Sequence, residues 1–217
     1  NNVKILIDAE ETLVQKAIDD LAVKMMLKYN KDKTIVYNTI QMYRWDRLDY
    51  MKKLLKNNTG ITFGFKLVRG AYMEKERELA AIMKIKSPIC KDKSATDLNF
   101  NKGLDFVFNN INKISLVCGS HNEASVLKIM SMMSKNGVLK NDDKIWFGQL
   151  YGMSDNITFN LAKEGFNVFK ILPFGPVKNL MPYLIRRAEE NSSVQGQTGR
   201  ELQLILNEIK RRKSVNV

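Results

Sequence analysis

Two cysteines and one histidine in 217 residues leave little material for the chemistries those side chains usually carry. Cys90 and Cys118 stand far apart with no second pair, which argues for reduced thiols and against a disulfide framework or a zinc site. No run approaches the roughly 18 apolar residues of a membrane-crossing helix. A signal peptide is missing as well, because Asn-Asn-Val-Lys leads at once into a strand-like run. So is an initiator methionine, from which we expect residue 1 not to be the natural start. What remains is ordinary for a soluble globular protein, 44% hydrophobic and 27% charged.

Charge of one sign is in excess, at a formal +12. Yet the 35 lysines and arginines are spread along the whole chain, and neither zinc-finger spacing nor an aromatic RNA-binding signature accompanies them. The dense cluster Lys210–Lys213 ends the last helical segment, where cations complement the helix dipole. No nucleic-acid partner is expected. The eleven methionines, Met25, Met130 and Met133 among them, fall mostly at helical spacing and read as core filler.

Apolar patterning predicts a repeated strand-then-helix rhythm. Strands are expected at Val3–Asp8, Thr34–Thr39, Thr62–Val68, Ile114–Cys118, Lys144–Phe147 and Asn167–Leu172. Helices are expected at Thr12–Tyr29, Arg47–Lys56, Glu123–Ser134 and Asp155–Glu164. The third strand is followed by a helical piece, Met73–Ile85, a Ser-Pro loop and a helix from about Asp97 to Asn110. The sixth leads through Pro-Phe-Gly-Pro into an arginine-bearing helix opened by Pro182, and amphipathic Arg200–Arg212 comes last. Six consecutive βα units imply a parallel sheet, doubly wound or closed as a barrel. The first strand ends Asp8-Ala9-Glu10-Glu11, without the glycine-rich phosphate turn of a doubly wound nucleotide fold. Polar residues instead close nearly every strand (Asp8 and Glu10, Gln41, Arg69, His121, Gln149), as in an α/β (β/α)8 barrel whose site is built from many strand ends. Two strands of such a barrel are expected upstream. We expect residues 1–217 to form one N-terminally incomplete barrel domain, with 197–217 a terminal helix and basic tail.

Within Met181–Asn191, Arg186 and Arg187 are adjacent on a helix. Two planar guanidinium forks about 100° apart suit bidentate capture of one small carboxylate lying over that edge. Asp8 and Glu10 also fit as caps for the helix beginning near Thr12. With His121, they alternatively suit a metal-dependent lyase or aldolase on the same barrel. A non-catalytic basic binding module is the third reading.

Five ordered motifs narrow the choice. Lys66–Tyr72 (Lys-Leu-Val-Arg-Gly-Ala-Tyr), Asp8-Ala9-Glu10, His121-Asn122, Gly148-Gln149-Leu150 with Gly152-Met153, and Pro173–Asn191 together resemble the proline dehydrogenase family over nearly the whole chain. The resemblance implies a distorted (β/α)8 barrel holding FAD noncovalently, L-proline oxidised to 1-pyrroline-5-carboxylate, and electrons passed to a quinone-type acceptor. It implies a cytoplasmic enzyme with peripheral contact at the inner membrane, or a mitochondrial matrix one in a eukaryote. By the same resemblance Arg186 and Arg187 grip the proline carboxylate, while Tyr72, Ala71, Leu150, Ile171 and Asp8 surround the substrate. Gln41, Lys66, Val68, Gly70, Ala71, Ser120, His121, Asn122 and Glu190 contact the cofactor, and Lys93 and Thr96 its phosphate and ribose. Gly70 and Ala71 are small, as close approach to a flavin ring requires.

Two departures stand out. Ile171 occupies a position where the family usually has a substrate-contacting tyrosine, leaving an apolar wall that a hydroxylated proline would match poorly. The family's substrate-site lysine on an early strand has no counterpart in this chain.

Overall fold

A computed structural model describes residues 3–58, 60–193 and 197–215, without the side chains at positions 186, 189–193, 197–201 and 215. The elements alternate as the patterning implies: β1 (Ile5–Ile7), α1 (Thr12–Tyr29), β2 (Val36–Gln41), α2 (Arg47–Asn57), β3 (Phe63–Val68), α3 (Met73–Ile82), α4 (Lys93–Asn109), β4 (Ile114–Gly119), α5 (Glu123–Lys135), β5 (Ile145–Leu150), α6 (Asp155–Lys163), β6 (Val168–Ile171), α7 (Val177–Ser193) and α8 (Gln197–Val215). The six strands form one sheet in the order β1-β2-β3-β4-β5-β6, and the pairs from β1 through β5 are parallel. A doubly wound sheet reverses its strand order at a switch point. This one never does, which is the order of a (β/α) barrel.

Side chains alternate across each strand, so every second residue meets the helices. On β3 these are Phe63, Phe65 and Leu67, which join Val36, Ile40, Leu116, Cys118 and Phe147 with Phe100, Leu104 and Val107 of α4 in one buried cluster. Burial pushes the Cys118 thiol up to about 12, and burial also raises Cys90. Both thiols are free and buried.

Polar residues on the helix side are closed into networks. Asp19 of α1 pairs with Arg47 of α2 at 2.8 Å, both buried, and accepts from Gln15 at 2.9 Å and from Asn38 of β2 at 2.8 Å. Arg47 lies 4.0 Å over the Tyr50 ring. Gln149, read from sequence as one of the site-forming strand-end residues, belongs to this class too. It is buried, accepts the Thr158 hydroxyl of α6 at 3.0 Å and reaches the Ser120 carbonyl at 3.4 Å.

Several boundaries differ from expectation, each for a local reason. α4 begins at Lys93, four residues before the expected Asp97, because Asp92 caps it by accepting from the Ala95 amide at 2.7 Å. β5 runs on through Gly148, Gln149 and Leu150. Pro182 lies inside α7, which starts at Val177, so the proline sits within the helix instead of opening it.

The chain resolves into two compact units. The first is Asn1–Gln149 with Asp155–Lys170; the second is Leu150–Ser154 with Ile171–Val217.

Candidate active site

In the first unit, the strand faces turned away from the helices carry Thr39 and Gln41 on β2, Gly64, Lys66 and Val68 on β3, and Val117 and Gly119 on β4. Register sets their levels: Thr39, Lys66 and Val117 lie side by side, and Gln41 lies beside Val68 one pleat further on. The Lys66 ammonium pairs with the Asp8 carboxylate beyond β1, which also accepts the Thr39 hydroxyl at 3.4 Å. Burial is uneven across this pair, with the Lys66 side chain 8% exposed and Asp8 68% exposed. A cation held inside by a partner that faces solvent is a charge a second anion can share, whereas a closed buried pair is spent on itself.

Gly119 gives Lys66 its room. A Cβ there would stand 2.9 Å from the Val68 Cγ1 and 3.5 Å from the Lys66 Cε. Gly70 follows the strand at φ +128°, and a Cβ there would enter the Tyr43 ring at 2.5 Å. The glycine is therefore required by its backbone angle and by Tyr43, a reason additional to the flavin approach expected from sequence. Burial pushes the Tyr43 hydroxyl up, so it stays protonated. Ala71 is exposed, and the Tyr72 hydroxyl donates to Glu10 at 2.5 Å.

The β1–α1 turn is held from α3. Glu76, buried, accepts the Thr12 amide at 2.6 Å, and Lys75 pairs with Glu11 at 2.6 Å. The caps expected from Asp8 and Glu10 are thus filled by a residue 64 positions away, which leaves Asp8 for Lys66 and Glu10 for Tyr72.

Arg69 organises the neighbouring strand end. Its guanidinium bonds Asp97 at 2.6 Å, the Ser120 hydroxyl at 3.0 Å and the Ser125 hydroxyl at 3.1 Å, and lies 4.6 Å over the Phe100 ring. Burial raises the Asp97 carboxyl, but Lys93 and Arg69 outweigh it and leave the group below its ordinary value. Ser120 also accepts the Asn122 amide at 3.1 Å, and Asn122 caps α5 by accepting from Ser125 at 3.0 Å. His121, half-buried, sits between these two fixed residues.

The structure brings Asp8, Lys66 and Val68 together through Gly119, and brings Ser120 and Asn122 together through Arg69. Two expected cofactor contacts are engaged otherwise. Lys93 pairs with Asp97 at 2.7 Å, and the buried Thr96 donates to the Asp92 carbonyl at 3.1 Å. The flavin-ring end of the expected set fits a cofactor better than the phosphate end does. Lys66 offers a shareable positive charge and Gln41 a buried amide. Among the described residues no three His, Cys, Asp or Glu side chains converge as a metal site.

In the second unit the Tyr151 amide donates to the Ile171 carbonyl at 3.0 Å, tying the turn after Leu150 to the end of β6. Leu150 and Ile171 are half-buried. Arg187 is half-buried on α7, its guanidinium 5.3 Å over the Tyr183 ring one turn earlier. The Arg186 and Glu190 side chains lie outside the described residues.

Gly119, Tyr43 and Glu76 were assigned no role from sequence, and Arg69 was read only as one of the polar strand ends. Arg69 carried a signal, a guanidinium within the densest motif. The other three act through partners 27 to 64 positions away, a separation no local pattern reveals.

Comparison with known proteins extends the pattern. The chain is 40% identical to human proline dehydrogenase 1, mitochondrial, over 97% of its length and 36% of the human protein. It is 41% identical to proline dehydrogenase 1, mitochondrial, of Arabidopsis thaliana over 98% of the chain and 44% of that protein. Hydroxyproline dehydrogenase of Xenopus laevis is 38% identical over 98% of the chain and 47% of that protein. The chain therefore spans between about a third and a half of these relatives. Among solved structures, proline utilization A from Bdellovibrio bacteriovorus, inactivated by N-propargylglycine, superposes with a TM-score of 0.81 at 26% identity, covering 89% of this chain and 20% of that one. The sequence profile described as proline dehydrogenase matches residues 1–200, and the chain belongs to that family.

Proposed function

We propose that this chain forms most of the barrel of a flavoenzyme that oxidises L-proline to 1-pyrroline-5-carboxylate and passes the electrons to a quinone-type acceptor. The observation that carries the reading is the Lys66–Asp8 pair, a buried ammonium on the inner sheet face whose carboxylate partner is open to solvent. FAD, when bound, supplies the two-electron acceptor. Lys66 and Gln41 hold its ring: the ammonium favours negative charge that develops there, and the amide fixes orientation. Ser120, His121 and Asn122 form a second contact, held rigid by Arg69. Lys93, Thr96 and Glu190 are assigned to the remainder.

Arg186 and Arg187 bind the proline carboxylate. Leu150, Ile171, Tyr72 and Ala71 orient the ring and exclude water, and Asp8 completes the polar edge. The substrate nitrogen must be neutral when its neighbouring carbon is oxidised, so reduction should accelerate between about pH 6 and pH 9. A flat profile over that range, with chemistry rate-limiting, contradicts the assignment.

The visible spectrum of the purified protein with FAD, taken anaerobically before and after L-proline, tests the reading. Flavin bands that bleach with proline support it, and a protein that takes up no FAD refutes it. A second substrate, hydroxyproline, is favoured by the frog relative's printed name. Ile171 opposes it, because an apolar wall leaves a ring hydroxyl without a partner. Bleaching by hydroxyproline in preference to proline would reverse that choice. The relatives called mitochondrial support a matrix location if the source is eukaryotic.

A further inference from the structure

α3 ends in an unusual way. Lys84 takes a left-handed conformation, φ 52°, a place normally given to glycine, and the Ile85 amide reaches back to the Ala80 carbonyl at 3.0 Å. The turn leaves every residue from Ala81 to Lys86 exposed (Ala-Ile-Met-Lys-Ile-Lys), with Ile82 at 78% and Ile85 at 57%. Trp45, 49% exposed, stands beside this tip with the Lys86 ammonium 4.5 Å over its ring.

The tip is firmly built. The Trp45 indole donates to the Ser87 carbonyl at 3.0 Å, and its amide to the Pro88 carbonyl at 3.2 Å. The Cys90 amide donates to the Tyr43 carbonyl at 2.7 Å, and Arg77 clamps the Cys90 and Lys91 carbonyls at 3.0 Å each. A structured loop that nonetheless presents four large apolar side chains marks an interaction surface.

Charge selects the partner. No acid lies between Glu78 and Asp92, while Lys84, Lys86 and Lys91 fall in that interval. Asp46 pairs with Arg44 at 2.7 Å, and Asp92 caps α4 and lies 3.8 Å from Lys91, which leaves Lys84 and Lys86 as the charges of the tip. Protein interfaces favour arginine and are depleted in lysine. Long lysines interleaved with isoleucine and methionine, beside a tryptophan, suit the boundary between headgroups and acyl chains.

We propose that Ala81–Lys86 with Trp45 is the surface by which this chain docks on an anionic lipid bilayer. Ile82, Met83 and Ile85 enter the acyl boundary, Trp45 lies at headgroup level, and Lys84 and Lys86 meet anionic headgroups. A quinone acceptor, as proposed above, gives the chain a reason to visit a bilayer; the surface itself follows from exposure and charge.

Co-sedimentation of the chain with vesicles of phosphatidylcholine and phosphatidylserine, against phosphatidylcholine alone, is the test. Binding should require the anionic lipid. It should fall at least about tenfold in the I82D/I85D double variant and about fivefold for each of Lys84→Glu and Lys86→Glu. In a Trp146→Phe background Trp45 is the sole tryptophan of the chain, and its emission should shift to the blue and be quenched by brominated lipid. Absence of binding overturns the proposal. So does binding that none of these substitutions weakens, which would move the contact elsewhere, or capture of a soluble protein through this tip with no affinity for vesicles. FAD reduction by proline without vesicles should be equal in all these variants. Its loss in parent and variants alike would refute the functional reading and leave the docking surface standing.

Discussion

The two faces of the sheet in the first unit hold polar residues on opposite terms. Toward the helices, Asp19 gathers Arg47, Asn38 and Gln15 out of contact with water, with the Asn38 amide oxygen left unpaired. Toward the inner side, Lys66 is just as buried but leans on a carboxylate that is mostly in solvent, beside a glycine against which Val68 packs. A closed network fixes the relation of α1, α2 and β2 and has nothing left to offer a ligand. An open one keeps donor capacity and charge in reserve, at some cost in stability, which is the usual condition of a binding site.

Breaking the closed network should cost most in stability and least in function. Asp19→Ala leaves Arg47 buried without its carboxylate, a loss of about 3–5 kcal/mol. Unfolding followed by circular dichroism should show a midpoint about 10 °C lower, with FAD affinity unchanged at temperatures where the protein is folded. A variant of normal stability would mean that water reaches this pair.

Gly119→Ala probes the packing beside Lys66. The added methyl must displace the Val68 side chain and comes into contact with the Lys66 chain, at about 1–3 kcal/mol. Its effect should divide between folding and FAD binding, measured by flavin fluorescence quenching. Full retention of both would show that the glycine is not needed there.

The Arg69–Asp97 contact should have the smallest effect. Its carboxyl lies below the ordinary value of 3.8 in the folded protein, so its contribution is complete above that pH and is lost as the pH falls through the lower folded value. As a partly exposed pair it is worth about 0.2–1 kcal/mol. Asp97→Asn should therefore flatten the acid limb of the stability curve below about pH 4 and leave neutral stability nearly unaltered. An identical acid limb in the variant would contradict a stabilising role for the Asp97 carboxylate.

The fold was largely legible because the strands read as short apolar runs between helical segments, with every second residue turned toward the helices. β3 shows it plainly, Phe63, Phe65 and Leu67 on one side and Gly64, Lys66 and Val68 on the other. α4 was read too short because Lys91-Asp92-Lys93-Ser94 looks like a polar loop until Asp92 is seen to cap a helix. The motif residues Asp8, Lys66, Ser120 and Asn122 could be named from sequence, but their arrangement could not. Arg69 draws its partners from α4, the end of β4 and α5, and Glu76 crosses to α1. Leu202, Ile205 and Ile209, in the segment read as amphipathic, are about half exposed on α8. Amphipathic spacing identifies a helix without identifying what covers it.

The division between the two faces is tested most directly at Lys66. Lys66→Met keeps the length and apolar stem of the side chain while removing its charge. The rate at which L-proline bleaches bound FAD should fall by about 10²–10³, with an unfolding midpoint at or above that of the parent. An unchanged rate, or a loss explained entirely by unfolding, would contradict the account.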